Sequence, residues 1–284
     1  MICWESMPIF MNWLMILQNW IFTGLTGTIM IHSYPLRRRL FQIEKNKLEE
    51  VCKRLRLSHL SHSLEKVPFD TKEQWLVALL ENELECREEL KIERLFKQAK
   101  FPGRKTLTNY DWHDQIILPH ETTKYELTSL SFIHQKENAV FVGTPGTGKT
   151  HLACALGQMA TQSGIETRFW RVSDLVCELE KQWKDNNLEP FKQRFNKVKL
   201  IILDEMGYVP FTKDGAELLF QLISDWYETK SVILTSNLEF SQWNKIFIDA
   251  RLTAALVDRL IHHAHILSFT GESFRLKNAL SKSK

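Results

Sequence analysis

The sequence predicts an α/β fold: a mainly parallel sheet flanked by helices, preceded by a small N-terminal helical domain. Three observations carry this. Apolar strand-like and helix-like stretches alternate between residues 139 and 236. Leu200–Leu203 is a continuous apolar run, the pattern of a strand buried on both faces. A glycine-rich loop between Gly143 and Gly148 joins a strand to a helix.

Lys45 to Val67 places Leu48, Val51, Cys52, Leu55, Leu60 and Leu64 largely on a helical period, and Pro68 ends the stretch. Asp70 with Glu73 reads as a capping box opening a long amphipathic helix to about Lys100, stopped by Pro102-Gly103. Residues 45–105 are therefore expected to form a helical domain. Lys91, Arg94, Lys97 and Lys100 recur every three residues, and Arg104 and Lys105 continue the run. Such a stripe suits either a solvated face, given Glu85, Glu88, Glu89 and Glu93 nearby, or phosphate-backbone contact with DNA. Phe101–Glu137 carries few signals and reads as a link to a second domain, 106–284.

In that domain Ala139–Gly143 reads as a strand and a helix follows from Lys149. Thr167–Val172 is the next strand, and Ser173–Lys184 a helix begun by a serine cap. Leu200–Leu203, the helix Gly215–Glu228 and the strand Ser231–Ser236 complete the alternation.

Residues 1–44 are different material. They hold five of the seven methionines and three of the nine tryptophans, and Ser6–Tyr34 has no Asp, Glu, Lys or Arg. Pro8–Ile31 is long enough to span a bilayer, but Asn12, Gln18, Asn19, two glycines and three threonines interrupt it. Three readings stand: an appendage from an upstream translation start, a membrane anchor, or a packed helix. The chain as a whole is an ordinary globular mixture, 44% apolar and 25% charged, with net charge +3 over 284 residues. This excludes disorder, collagen-like repeats and a multi-span membrane protein. The five cysteines are scattered and odd in number, so neither a zinc site nor a disulfide framework is expected, and a reducing cytoplasm fits. Cys154 reads as a small core residue.

Gly143, Thr144, Pro145, Gly146, Thr147, Gly148, Lys149 and Thr150 match the phosphate-loop pattern G-x-x-x-x-G-K-[ST]. Glycines let the backbone turn its N–H groups inward, and the helix from Lys149 presents the positive end of its dipole. Lys149 is expected to reach the outer phosphates of ATP and Thr150 to ligate Mg²⁺; His151 is grouped with the nucleotide-binding residues. Asp204, after the apolar strand, is expected to hold the Mg²⁺ shell. Glu205 is placed to polarise a water for attack on the γ-phosphate. Asn237, past the strand Ser231–Ser236, either orients that water or forms a turn. Arg259, beside Asp258, is a surface residue or a finger inserted into a neighbour's ATP site. His262, His263 and His265 lack accompanying ligands at metal spacing and read as structural.

Together these residues resemble the IstB-like ATP-binding proteins, helper ATPases of bacterial insertion sequences. The likeness runs from about Lys45 to Lys277. It takes in Phe101-Pro, Lys105-Thr-Leu107, the phosphate loop with His151-Leu-Ala, and Leu203-Asp-Glu-Met-Gly207. It continues through Thr235-Ser-Asn237 and Asp258-Arg-Leu-Ile-His-His263 to Gly271-Glu-Ser-Phe-Arg275. The resemblance implies an AAA+ P-loop NTPase related to bacterial helicase loaders, assembling as an ATP-bound homo-oligomer on double-stranded DNA and activating a transposase. It implies that Asn237 is a sensor residue and Arg259 a trans-acting finger, and it favours DNA contact by the Lys91–Lys105 stripe. Arg275 is open between phosphate sensing and tail packing. Residues 1–44 have no counterpart in the family, and the short stretch after Phe269 leaves no room for a helical lid. A replicative helicase loader is the alternative on the same fold, and a membrane-tethered nucleotide-binding protein is the third reading.

Overall fold

A computed structural model describes residues 45–275, apart from 64–65, 69–70, 109, 113–114, 208–209 and 248. The readings made for residues 1–44 lie outside it. Among the described residues no helix is long and apolar enough to cross a membrane. The chain divides into two units, one ending at Glu83 and one spanning Leu84–Lys284.

The first unit contains α1 (residues 45–54), α2 (Leu60–Ser63) and the start of α3 (Lys72–Ala99). The expected single helix over 45–67 is broken in two. Arg56 takes a left-handed φ of 58°, which ends a helix as a C′ residue does. The break lets Cys52, Leu60 and Leu79 bury together. The His59 amide donates to Glu83 at 2.7 Å and fastens the second helix to α3. The capping box read from Asp70 to Glu73 falls partly outside the described residues, since Asp70 is not among them. At the start of α3 Thr71 Oγ1 accepts from the Gln74 amide at 3.3 Å and donates to Gln74 Oε1 at 3.1 Å. The Thr71 hydroxyl thereby satisfies one of the free amide donors of the first turn.

The second unit holds a six-stranded sheet. Its strands are β1 (Ile116–Ile117), β2 (Asn138–Gly143), β3 (Thr167–Arg171), β4 (Leu200–Met206), β5 (Ser231–Ser236) and β6 (Ala264–Phe269). The order is β1-β6-β2-β5-β4-β3, parallel throughout except for β1 against β6. The helices are α4 (Thr123–Thr128), α5 (Ser131–Gln135), α6 (Lys149–Gln162), α7 (Val172–Lys184), α8 (Leu188–Gln193), α9 (Lys213–Trp226), α10 (Asn244–Phe247) and α11 (Ala250–Ile261).

Apolar side chains alternate strictly between the two faces. Val140, Val142, Ile201, Leu203, Val232 and Leu234 join one buried cluster with α7, α9 and α11. Ala139, Phe141, Leu200, Ile202 and Ile233 join another with α5 and α6. Because both faces are covered, the strands need no polar side, and the runs read as continuous. Gly157 on α6 lies directly over Ile202 and Phe101, where a Cβ would collide. α6, which begins at the phosphate loop, is thereby seated on the sheet.

Three local expectations are corrected. Ser173 does not cap α7; the helix begins at Val172, and Arg171 at its N-cap makes no side-chain cap bond. Phe101–Glu137 is more than a link, since it supplies β1, α4 and α5 and buries Leu127, Leu130, Phe132 and Ile133. A sixth strand, β6, follows α11 and inserts between β1 and β2.

Candidate nucleotide site

Gly143, Gly146 and Gly148 hold φ values of 145°, 85° and 97°, which disfavour any side chain. The loop folds around its own lysine. Lys149 Nζ donates to the Gly143 carbonyl at 2.6 Å and the Thr144 carbonyl at 2.7 Å. Thr147 Oγ1 closes the turn on the Thr144 carbonyl at 2.8 Å. Burial pulls the Lys149 ammonium down to about 8; Asp204 opposes the shift and Arg275 adds to it.

Asp204, only 3% exposed, takes two hydroxyl protons on one oxygen. Thr150 Oγ1 donates to Oδ1 at 2.8 Å, and Thr235 Oγ1 donates to the same atom at 2.6 Å. Thr235 in turn accepts the Glu205 amide at 3.0 Å. Glu205 has a left-handed φ of 63°, and the β4–β5 register slips between Leu203 and Met206. A glutamate in this region is uncommon and costs about 1–2 kcal/mol. The slip turns the acid after Asp204 into the pocket. Its nearest cation is Arg171, 3.9 Å away and largely exposed.

A pocket of about 250 Å³ opens over the loop. Pro145, Gly146, Gly148, Lys149, Thr150, His151, Glu205 and Asn237 line it, as the sequence placed them. Gly143, Thr144 and Thr147 shape the loop from behind, and Asp204 stands beneath through Thr150. Ser236 holds the turn before Leu238, its hydroxyl on the Met206 and Leu238 carbonyls at 2.9 and 2.8 Å, so that Asn237 faces the pocket.

Two residues enter the pocket that sequence reasoning left without a role. Thr235 is one. Its signal was a polar side chain ending a buried apolar strand. Arg275 is the other. The segment Gly271–Arg275 straps the loop: Thr144 Oγ1 donates to the Gly271 carbonyl and the Phe274 amide to the Gly146 carbonyl, each at 3.0 Å. Gly146 is pressed against Ser273, with no room for a Cβ.

The basic run divides. Lys91 pairs with Glu88 at 2.9 Å and Lys97 with Glu93 at 2.7 Å, while Arg94 and Arg104 are exposed. Lys100 lies over the Trp170 ring at 5.7 Å. Lys105 lines the nucleotide pocket; its segment is pinned by Gln158, which accepts from the Lys105 amide and donates to the Gly103 carbonyl. Arg259 is half-buried on α11, over the Phe220 ring at 4.6 Å, and does not line this pocket. His265 Nε2 and Glu137 Oε2 are 2.9 Å apart, and Nδ1 is 3.5 Å from Glu126, the environment of a structural histidine. Burial pushes the Cys154 thiol up to about 12, so it is inert at neutral pH.

The donor set fits Mg²⁺ with a nucleotide. One hydroxyl and one carboxylate are hard oxygen ligands, and Mg²⁺ ordinarily takes few protein ligands and completes its shell with phosphates and water. Among the described residues no cluster of three or more His, Cys, Asp or Glu side chains offers a protein-only metal cage. Tyr110 supports the same fit. Its ring lies beside Gly148 and 5.4 Å from the His151 ring, yet among the described residues its buried hydroxyl has no hydrogen-bond partner. A buried orphan of this kind is rare and marks a missing partner.

A parallel sheet with a lysine-bearing glycine loop at one strand's carboxyl end and an acid pair at its neighbour's defines an α/β nucleotide-binding protein of the P-loop class. Comparisons with known proteins narrow this. The family model for IstB-like ATP binding protein matches residues 50–282, and the chain belongs to that family. It is 39% identical over 207 residues to the insertion sequence IS232 putative ATP-binding protein of Bacillus thuringiensis subsp. berliner, covering 73% of this chain and 82% of that one. It is 37% identical over 238 residues to the insertion sequence IS21 putative ATP-binding protein of Pseudomonas aeruginosa, covering 82% and 89%. Among solved structures it is similar to AMPPCP-bound DnaA from Aquifex aeolicus, with TM-score 0.50 and 19% identity over 64% of this chain and 55% of that one. That likeness supports the AAA+ fold.

Proposed function

We propose that this protein is a Mg²⁺-dependent ATPase that serves DNA transposition. In this reading it works in the cytoplasm, assembles as a homo-oligomer on double-stranded DNA in the presence of ATP, and activates a partner transposase. The observation that carries the reading is Asp204, buried beneath the phosphate loop and joined to Thr150, with Glu205 beside it at the pocket wall. That is the minimum set for holding a nucleoside triphosphate and polarising a water against it. The relatives' association with insertion sequences supports the cellular context.

Each residue has a defined task. Lys149 leaves the Gly143 and Thr144 carbonyls to meet the β- and γ-phosphates, and the loop amides enclose them. Thr150 and Asp204 would hold Mg²⁺, which supplies charge neutralisation across the phosphates. Glu205 accepts the proton of the attacking water, and Asn237 orients that water. Arg275 and Lys105 add positive charge at the rim. Tyr110, with His151, offers a hydroxyl to the base or ribose. Arg259 acts on a neighbouring subunit's nucleotide, being absent from its own pocket.

The test is hydrolysis by the full chain with and without duplex DNA, beside Lys149→Ala and Glu205→Gln. The expected result is DNA-stimulated turnover, lost in both variants, with ATP binding kept only in Glu205→Gln. Turnover unchanged in Glu205→Gln would overturn the assigned chemistry.

A further inference from the structure

A second cleft lies on the far edge of the sheet, where among the described residues β3 has no further strand beside it. It measures about 560 Å³, within the roughly 300–1,000 Å³ of small-ligand sites. The end of α3, strand β3, the first turns of α7 and the end of α8 form its walls. Its floor is aromatic. Trp170, half-buried, meets Phe191 edge to face with ring centroids 6.2 Å apart.

Each ring carries a cation. Lys100 Nζ is 5.7 Å from the Trp170 centroid, and Arg194 Cζ is 5.6 Å from the Phe191 centroid. Neither pairs with a carboxylate among the described residues, unlike Arg168 in the same cleft, which is bound to Glu166 at 2.8 Å. Asp174 and Glu178, one turn apart on α7, line the opposite side and form no ion pair with a described residue. Two cations and two carboxylates, none in an ion pair with a described residue, therefore share one aromatic-floored cleft, with Glu178 accepting from Gln182 Nε2 at 2.8 Å and keeping its second oxygen for a ligand.

This combination is poor for a run of phosphates, which the carboxylates would repel. It matches a ligand anionic at one end, flat in the middle and donor-bearing at the other. A single nucleotide has that layout: a phosphate, a base with a stacking face, and on adenine, cytosine or guanine an exocyclic amine. Lysine and arginine recognise the phosphate, an aromatic face takes the base, and carboxylates accept from the amine. We propose that this cleft binds one unstacked nucleotide of a DNA strand, with Lys100 and Arg194 on its phosphate, Trp170 against its base, and Asp174 or Glu178 on its amine. The proposal rests on the DNA reading of Proposed function and adds to it a strand-distorting contact with base preference. Thymine, lacking an exocyclic amine, is the base the cleft disfavours.

The experiment uses the full chain and fluorescently labelled oligonucleotides. Anisotropy titrations compare single-stranded dC12 and dT12 with a 30-base-pair duplex, and free dCMP is added as competitor. The expected result is dC12 bound roughly tenfold tighter than dT12. The double variant Asp174→Asn, Glu178→Gln should erase that preference. Arg194→Glu, at an exposed position, should weaken dC12 by roughly tenfold or more while leaving basal ATP hydrolysis intact. Trp170→Phe should keep part of the affinity and Trp170→Ala should lose it.

If dC12 and dT12 bind alike, and alike to all the variants, the cleft proposal is overturned. Retained duplex binding in that case leaves the wider DNA reading standing. Absence of all DNA binding overturns both. Displacement of the duplex by dCMP, with neither dC12 nor dT12 bound, assigns the cleft to a mononucleotide and overturns the strand. Protection of Arg194 by a protein fragment but by no nucleotide assigns it to a peptide and overturns the proposal.

Discussion

Thr235 donates its hydroxyl proton to Asp204 at 2.6 Å and accepts the Glu205 amide at 3.0 Å. One side chain on β5 therefore sets both the carboxylate that would face Mg²⁺ and the backbone that aims the base. The left-handed turn at Glu205 depends on this bond, since its amide would otherwise lack this partner beside a buried strand. Thr235→Val keeps the shape and removes both bonds. It is expected to destabilise the fold by about 1–3 kcal/mol and lower ATP turnover by roughly 10–100-fold, with ATP affinity changed far less. Thr235→Ser should recover most of the turnover. Thermal melts and steady-state hydrolysis measure the two effects; turnover lost equally in both variants would mean that the methyl, not the hydroxyl, matters.

Lys149 predicts opposite pH trends for binding and stability. Its ammonium is held down to about 8 by burial, whereas a phosphate stabilises the charged form. ATP affinity should fall as pH rises through about 8, with proton uptake on binding visible by calorimetry in buffers of different ionisation enthalpy. The free protein behaves the other way. The unfolded chain binds more protons at this site between about 8 and the ordinary 10.5, so this contribution to stability rises with pH across that window. Lys149→Ala should bind ATP at least roughly 100-fold more weakly and show neither trend.

Glu205→Gly separates stability from chemistry. Glycine adopts a φ of 63° without the Cβ conflict, so the melting temperature should hold or rise, by up to about 1 kcal/mol of stability. Hydrolysis should vanish while nucleotide binding persists. A fall in melting temperature would show that the Glu205 side chain itself stabilises the turn.

Arg259 and Glu205 should complement each other between subunits. Arg259→Ala and Glu205→Gln are each expected to be inactive alone. Mixed, they should regain hydrolysis at interfaces where an intact finger meets an intact base. Mixtures as inactive as the separate variants would confine Arg259 to its place over Phe220.

The α3 stripe makes a sharper prediction now that its ion pairs are known. Lys97 is tied to Glu93 and Lys91 to Glu88, so Arg94 is the charge on that face to test. Arg94→Glu should reduce the slope of log affinity for duplex DNA against log salt by about one or more. Glu93→Gln, by freeing Lys97, should strengthen binding. Both variants bound like the parent would return the stripe to a solvated face.

Contiguity decided what the sequence revealed. The phosphate loop and the Asp204-Glu205 pair are short runs whose neighbours supply their geometry, so spacing alone located them. The strands were legible because burial on both faces leaves no polar alternation to confuse. Thr235 and Arg275 were not, because their roles depend on contacts 31 residues away across β5 and 127 residues away through the strap. β6 was hidden by His265, a charged-looking side chain that Glu126 and Glu137 make acceptable inside the sheet. The break at Arg56 was not legible, because a left-handed residue inside a helical period is set by tertiary packing, which outweighs local preference.

The strap over the phosphate loop also has a meaning in time. Thr144 waits for Gly271, 127 residues downstream, before its hydroxyl is satisfied, and Gly146 waits for Phe274. A ribosome adding about 5–20 residues per second exposes the loop for seconds before the strap can exist. During synthesis β2 to β5 can pair while the nucleotide site remains unlatched. A chain cut short before residue 271 would keep its glycine loop and lose the clasp that holds it, so ATP competence is conferred only once residues 271–274 have been added.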